Sequence, residues 1–158
     1  MVLRIVLGAL CVAMAAGQIA SFRQMPGILA GYGLVAGSGA TALAVALVAG
    51  ELVCGVWFLA RPRSRTMAPV WVFTAVAVVW ALLAAQAYAR GLAVANCGCF
   101  GIYLAQSLSW FVLVEDALLL FYAGLLIRVP GDTPRHRQDR ANRRPGRGTR
   151  PRPMGGLR

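Results

Sequence analysis

The sequence predicts an all-α membrane protein, a polytopic four-helix bundle followed by a disordered basic C-terminal tail. The chain of 158 residues is 59% hydrophobic and has a mean hydropathy of +0.67. These values lie well above those of soluble globular chains. Several apolar runs approach the roughly 20 residues that a helix needs to cross a bilayer. We therefore assign residues 1–128 to one membrane domain and residues 129–158 to the tail.

Four apolar runs are expected to be the spans, with the lipid bilayer as their partner. They are Val2 to Ala20, Ala40 to Ala60, Pro69 to Tyr88 and Leu108 to Ile127. The first run is also compatible with a cleaved signal peptide, because Arg4 could be its charged start and Ala13-Met14-Ala15 resembles a cleavage site. The glycine-rich connection from Ser21 to Gly39 contains the apolar patch Ile28-Leu29-Ala30, which we expect to lie along the membrane surface.

The positive charge is concentrated in the tail, which argues against nucleic acid as a partner. Of the 16 basic residues all are arginine, and ten of them lie from Arg128 onward, giving most of the net charge of +11. Arginine-rich segments flanking spans usually remain in the cytoplasm. The link from Arg61 to Arg65 and both termini are then cytoplasmic, in a multi-pass protein of the cell membrane. The loop from Arg90 to Ser107 lies outside, where disulfides form and persist.

That loop contains the stretch with the most chemistry in the chain, Asn96-Cys97-Gly98-Cys99-Phe100-Gly101. Gly98 permits backbone angles that a residue with a Cβ resists, so the two thiols can approach each other. A disulfide between them would need a bent conformation, and strained, exposed disulfides tend to be labile or catalytic. Cys97 and Cys99 are therefore predicted to form a redox dithiol that the membrane scaffold holds at a surface.

Two other interpretations of the pair stay open. Both thiols could pack against apolar neighbours without reacting, or they could be half of a metal site. A structural zinc site needs about four ligands. The remaining candidates are His136 in the tail and Cys11 and Cys54 in apolar runs. We expect Cys11 to be a small buried apolar group.

Carboxylates within the predicted spans are the other candidates for chemistry. Glu51 lies near the centre of the second run, and Glu115 and Asp116 lie near the middle of the fourth. A charge at the bilayer centre costs about 2.5–3.5 kcal/mol on insertion scales. Glu51 and Asp116 could relay protons during thiol oxidation. Alternatively, a protonated carboxyl could hydrogen-bond between helices, for example to Ser109 or Thr41.

Several of these residues together resemble a known family. They are Ala16-Gly17, Glu51-Leu52 with Gly55 and Leu59, Cys97-Gly98-Cys99-Phe100-Gly101, Ser109-Trp110 and Asp116-Ala117-Leu118-Leu119-Leu120. This set is similar to the MauE/DoxX-type redox-associated membrane proteins, specifically the methylamine utilisation protein MauE domain. The resemblance implies a four-helix membrane domain with a retained first span. It also implies a role in disulfide maturation of a secreted client, with a thioredoxin-like partner, and Cys97 and Cys99 as the functional pair.

The leading hypothesis is a membrane thiol–disulfide oxidoreductase that supports disulfide formation in an extracytoplasmic client. In the methylamine system that client is the disulfide-rich small subunit of methylamine dehydrogenase. The alternatives are a non-enzymatic scaffold for client export or folding and a small proton-coupled transporter that uses Glu51 and Asp116. The sequence identifies no cofactor, although a quinone could accept the electrons.

The arginine pattern gives a testable topology. In a chain whose four cysteines are replaced by alanine, a reporter Ser64→Cys should resist an impermeant maleimide in intact cells and react after permeabilisation. A second reporter at Tyr103, in the opposite loop, should react in intact cells. Labelling of the Ser64→Cys reporter from outside would reverse the predicted orientation.

Overall fold

The computed structural model describes residues 1–64 and 66–128, and the predicted tail lies outside the described residues. The helices are α1 (Val2–Ala20), α2 (Met25–Ala30), α3 (Ser38–Ala60), α4 (Ala68–Ala89) and α5 (Trp110–Arg128). All except α2 are long and apolar enough to cross a membrane. The predicted all-α fold with four spans is confirmed, and the first run is a helix of full spanning length.

The spanning helices pack in a sequence of neighbours rather than in a closed ring. Helix α3 contacts α1 on one side and α4 on the other, and α5 contacts α4. Glycine allows the closest of these approaches, as is common between membrane helices. A Cβ on Gly8 of α1 would lie only 3.0 Å from the carbonyl oxygen of Gly55 in α3. Helices α1 and α5 are thus the two edges of the bundle, and a cavity separates them.

Arginines gather at the end of the bundle that carries the link between α3 and α4. The Arg4 guanidinium donates a hydrogen bond to the carbonyl oxygen of Ser64 and lies 5.8 Å from the Phe58 ring centroid. Arg61 lies 5.4 Å from the Trp57 ring centroid. Aromatic rings and arginine side chains favour the headgroup region at the ends of spans. This end is therefore suited to one face of a membrane, and the Cys97–Cys99 loop lies at the other end.

The connection between α1 and α3 is more deeply packed than the sequence indicated. Met25 and Leu29 of α2 are fully buried, and Tyr32 after it is nearly so. They form a cluster with Leu47 of α3 and Trp80 of α4. The expectation that the Ile28-Leu29-Ala30 patch lies along the membrane surface is wrong for Leu29, because α2 packs inward on α3. Within the neighbouring cluster Cys11 is buried, as predicted, together with Cys54.

Candidate dithiol site

The loop between α4 and α5 folds back on itself as a short hairpin that presents the two cysteines. The Leu108 N–H donates to the carbonyl oxygen of Val94 at 2.9 Å, and the Cys97 N–H donates to that of Gln106 at 2.8 Å. A tight turn closes the hairpin, because the Gly101 N–H donates to the carbonyl oxygen of Gly98 at 3.0 Å. The dithiol therefore lies at the tip of an ordered turn.

Asn96 and two glycines explain why the sequence folds into this turn. The Asn96 Oδ1 accepts a hydrogen bond from the Gly98 N–H, and its Nδ2 donates to the carbonyl oxygen of Gly101, both at 2.9 Å. Gly98 has a φ of +85° and Gly101 a φ of +63°. Residues with a Cβ rarely adopt these angles. A Cβ on Gly101 would also lie 2.6 Å from the carbonyl oxygen of Gly17, so α1 and the turn fit only with glycine there.

The turn lies inside the bundle rather than on its surface. Cys97 is 3% exposed and packs with Ala84 of α4 and Val112 of α5. A Cβ on Gly98 would lie 3.5 Å from Cη2 of Trp80. Trp80 is about 13 Å along the axis from the end of α4 at Ala89, at 1.5 Å per residue. The prediction that the scaffold holds the dithiol at a surface is therefore wrong for Cys97, which the hairpin buries between the helices, whereas Cys99 is partly exposed.

Two side chains from the first half of the chain hold the dithiol backbone at this depth. The Gln18 Nε2 donates to the carbonyl oxygen of Cys99 at 3.0 Å, and the Tyr32 hydroxyl donates to that of Cys97 at 2.8 Å. Both side chains are buried. A buried carbonyl oxygen without a hydrogen-bond donor destabilises the folded state, so these two bonds stabilise the buried conformation of the loop. Sequence reasoning missed both residues; the one available signal was that Gln18 is a polar residue within an apolar run.

The two thiols are free and adjacent, and each changes the chemistry of the other. Contact with the Cys99 side chain and with the Cys99 backbone N–H lowers the pKa of Cys97 to about 7, against the opposing effect of burial. The same contact, together with burial, raises the pKa of Cys99 well above its usual value. Cys97 is therefore the sulfur that ionises first, and Cys99 stays protonated to higher pH. Arg90 is the cation nearest to the two cysteines in the sequence. Its guanidinium donates to Gln86 Oε1 at 3.2 Å and to the Gly33 carbonyl oxygen at 3.4 Å.

The carboxylates separate into two buried groups and one exposed group. Glu51 is 1% exposed and its Oε1 accepts a hydrogen bond of 2.7 Å from the Trp80 Nε1. Asp116 is 5% exposed, whereas its neighbour Glu115 is exposed and accepts from the Gln106 Nε2 at 3.4 Å. The suggested partner Thr41 donates instead to the carbonyl oxygen of Gly37. A hydrogen bond from a carboxyl to a neighbouring helix does occur, as predicted, but it joins Glu51 of α3 to Trp80 of α4.

A cavity of about 230 Å³ lies between the edge helices α1 and α5, and the dithiol loop forms its end wall. Cys99 and Asp116 both line it, and the rest of its wall is mostly apolar. A second, smaller cavity of about 20 Å³ lies beside Glu51. Leu10, Met14 and Leu119 line both cavities. The two predicted carboxylates thus lie on opposite sides of one thin apolar wall, with Cys99 on the outer side.

A metal site receives no support from the part of the chain that the structure describes. No group of three or more His, Cys, Asp or Glu side chains in residues 1–64 and 66–128 is placed to hold a metal ion. His136 lies outside those residues.

These features define a multi-pass membrane protein whose four spanning helices enclose a dithiol near one end of the bundle. The family model described as Methylamine utilisation protein MauE matches residues 1–129, and the chain belongs to that family. The match covers the whole membrane domain, so the chain is a methylamine-utilisation accessory protein of the membrane. Comparisons with curated proteins and with solved structures found no match.

The thiol contact predicts how Cys97 responds to pH. With Cys11 and Cys54 replaced by alanine, iodoacetamide should alkylate Cys97 in a Cys99→Ser variant with a midpoint near pH 7, because the serine hydroxyl can still donate. In Cys99→Ala the donor is lost and the midpoint should rise toward the ordinary value of about 8.5. At pH 7 the thiolate fraction, and hence the rate, would then fall by up to about 15-fold. Equal midpoints in the two variants would contradict the assignment.

Proposed function

We propose that this protein is a membrane thiol–disulfide oxidoreductase that uses Cys97 and Cys99 to support disulfide formation in an extracytoplasmic client. The observation that carries the proposal is a pair of free thiols held in one tight turn, with Cys99 lining the cavity. Their contact makes the pair unequal, because it lowers the pKa of Cys97 and raises that of Cys99. Inert packing needs no such inequality, whereas exchange needs one good leaving group and one accessible sulfur.

The inequality assigns a role to each sulfur. In the oxidised protein, a thiolate of the client attacks Cys99, the more exposed of the two cysteines, and the Cys97–Cys99 bond breaks. Cys97 leaves as a thiolate, which its low pKa favours. The second client thiolate then attacks the client sulfur of the mixed disulfide. The client disulfide forms, and Cys99 takes up a proton to complete the dithiol that the structure contains.

Family membership supports the cellular setting of this proposal. The client is a secreted disulfide-containing protein, with methylamine dehydrogenase small subunit as the example the family suggests, and a thioredoxin-like protein is the soluble partner. The arginine pattern supports a dithiol loop on the extracytoplasmic side. A disulfide relay is useful only in that oxidising compartment.

The cycle needs an electron acceptor, and the cavity between α1 and α5 supports a membrane quinone in that role. Its volume of about 230 Å³ is below the roughly 300–1,000 Å³ of drug-sized sites, which suits a ring whose isoprenoid chain stays in lipid. The dithiol would give two electrons and two protons to the quinone, yielding the disulfide and a quinol. Cys99 lines the cavity, and Asp116 is placed to relay one of the protons.

Trapping of a mixed disulfide tests the exchange step. With Cys11 and Cys54 replaced by alanine, Cys97→Ala leaves Cys99 as the one thiol of the loop. A client variant with a single cysteine, activated as its mixed disulfide with thionitrobenzoate, should exchange with the Cys99 thiolate and release thionitrobenzoate. The covalent adduct should then accumulate, because neither Cys97 nor a second client thiol is present to resolve it. Cys99→Ala should accumulate much less, because Cys97 is buried. The adducts are separated on non-reducing gels and identified by mass spectrometry.

The matching control is the Cys97→Ser, Cys99→Ser double variant. It should form no reducible adduct and should fail to support client disulfides while inserting normally. If that variant matures the client as well as the wild type, the protein is a scaffold and the redox proposal is wrong.

A second assay addresses the acceptor alone. A short-chain ubiquinone or menaquinone with a fully substituted ring should oxidise the reduced dithiol in vesicles. Leu118→Trp, which narrows the cavity from α5, should slow this reaction at least several-fold. Leu125→Trp, two turns further along the same helix and outside the cavity, should retain the wild-type rate. Equal rates in both variants would exclude this cavity as the quinone site.

A further inference from the structure

A line of buried polar groups connects the dithiol loop to the centre of the bundle. At one end the Gln18 Nε2 donates to the carbonyl oxygen of Cys99 at 3.0 Å. At the other end the Trp80 Nε1 donates to Glu51 Oε1 at 2.7 Å. Between these two bonds the side chains of Gln18 and Glu51 lie close together where α1 packs on α3. Helices α1, α3 and α4 each contribute one member.

The middle of this line contains two buried oxygens that have no donor among residues 1–64 and 66–128. They are Gln18 Oε1 and Glu51 Oε2, and their residues are 0% and 1% exposed. An unsatisfied buried polar atom costs about 1–3 kcal/mol. Two such atoms on neighbouring side chains call for one explanation rather than two.

Exchanging the nitrogen and oxygen positions of the Gln18 amide does not give its oxygen a donor. A backbone carbonyl can only accept a hydrogen bond, so the group facing Cys99 must be the amide nitrogen. Turning the amide would place its oxygen against the carbonyl oxygen of Cys99 and lose the bond of 3.0 Å. The amide nitrogen is therefore fixed by Cys99, and the buried Gln18 Oε1 needs a donor of its own.

We propose that Glu51 carries its proton on Oε2 and donates it to Gln18 Oε1, which makes Gln18 the positioning residue that links Glu51 to the dithiol. One proton satisfies both orphan oxygens. The hydrogen bonds then run in one direction, from Trp80 through Glu51 and Gln18 to the carbonyl of Cys99. Such chains are mutually reinforcing in a medium of low dielectric. The inference deepens the proposed function, since it couples the acid to the redox loop.

The coupling has a direct structural route. Under the proposal, disulfide closure between Cys97 and Cys99 changes the backbone at Gly98 and moves the carbonyl of Cys99. Gln18 is bonded to that carbonyl, so its amide must adjust and the hydrogen bond from Glu51 must change with it. The small cavity of about 20 Å³ beside Glu51 gives the carboxyl room to respond.

Infrared spectroscopy of the reduced protein in vesicles tests the proton. A protonated carboxyl has a C=O stretch that is well separated from those of carboxylates. A band of this kind should be present in the wild type and absent in Glu51→Gln, in which the amide can still donate to Gln18. Gln18→Leu should shift the Glu51 band to higher frequency, because the acid loses its acceptor. Trp80→Phe removes the other hydrogen bond of Glu51 and should also shift the Glu51 band. This variant replaces Gln18→Leu if the latter does not fold.

Gln86, near the C-terminal end of α4, provides a matched control. Gln86 is a partly buried glutamine whose Nε2 donates to a backbone carbonyl, that of Tyr32, at 2.8 Å. Gln86→Leu therefore removes a comparable bond away from Glu51 and should leave the band in place. Identical spectra for wild type and Glu51→Gln would show that Glu51 is ionised and would overturn the proposal. An unshifted band in Gln18→Leu would overturn it as well.

Oxidation tests the coupling separately. Diamide takes two electrons and two protons from the dithiol, leaving the Cys97–Cys99 disulfide. The Glu51 band should shift on oxidation in the wild type and should no longer respond in Gln18→Leu. If the disulfide forms and the wild-type band does not move, Gln18 does not transmit the change. If no disulfide forms, the redox function fails, while the spectra of the reduced protein still decide the proton on Glu51.

Discussion

Satisfying the backbone of a buried hairpin is the constraint on which this molecule depends. The segment around the two cysteines enters the apolar bundle, where water cannot serve its peptide groups. Partners must therefore come from the protein. They are Gln18 and Tyr32, from distant parts of the chain, and the adjacent Asn96. The position of α1 and of the α2 connection follows from this need. The inward packing of α2 places the Tyr32 hydroxyl over the carbonyl of Cys97.

The same constraint gives the dithiol its asymmetry. Because Cys97 and Cys99 are fixed in one turn, their contact lowers the pKa of Cys97 and raises that of Cys99. A mobile surface loop would average the two positions and lose the distinction. Burial therefore favours reaction at Cys97 by fixing the positions of the two thiols, even though desolvation alone opposes formation of the thiolate.

Much of this architecture could be predicted from the sequence, since the spans are set by apolar length and each spanning helix lies within a few residues of its predicted run. Cys97 and Cys99 were identifiable because glycine-separated cysteines between two spans are unusual in themselves. The depth of the loop was not predictable, because it depends on tertiary contacts between residues far apart, such as Gln18 and Cys99. Trp80 was also missed as the partner of Glu51. A tryptophan in an apolar run is read as an apolar packing residue, although its indole N–H is a hydrogen-bond donor.

The open edge between α1 and α5 has a consequence for how ligands of this protein are measured. The cavity opens between two edge helices of spanning length, so a molecule that occupies it arrives by lateral diffusion in the bilayer. Its effective concentration is then its mole fraction in the lipid, not its amount per volume of buffer. An apparent dissociation constant expressed in molar units would change with the amount of lipid in the sample. Occupancy should instead follow the ratio of ligand to lipid, and affinities from different vesicle preparations become comparable only on that scale.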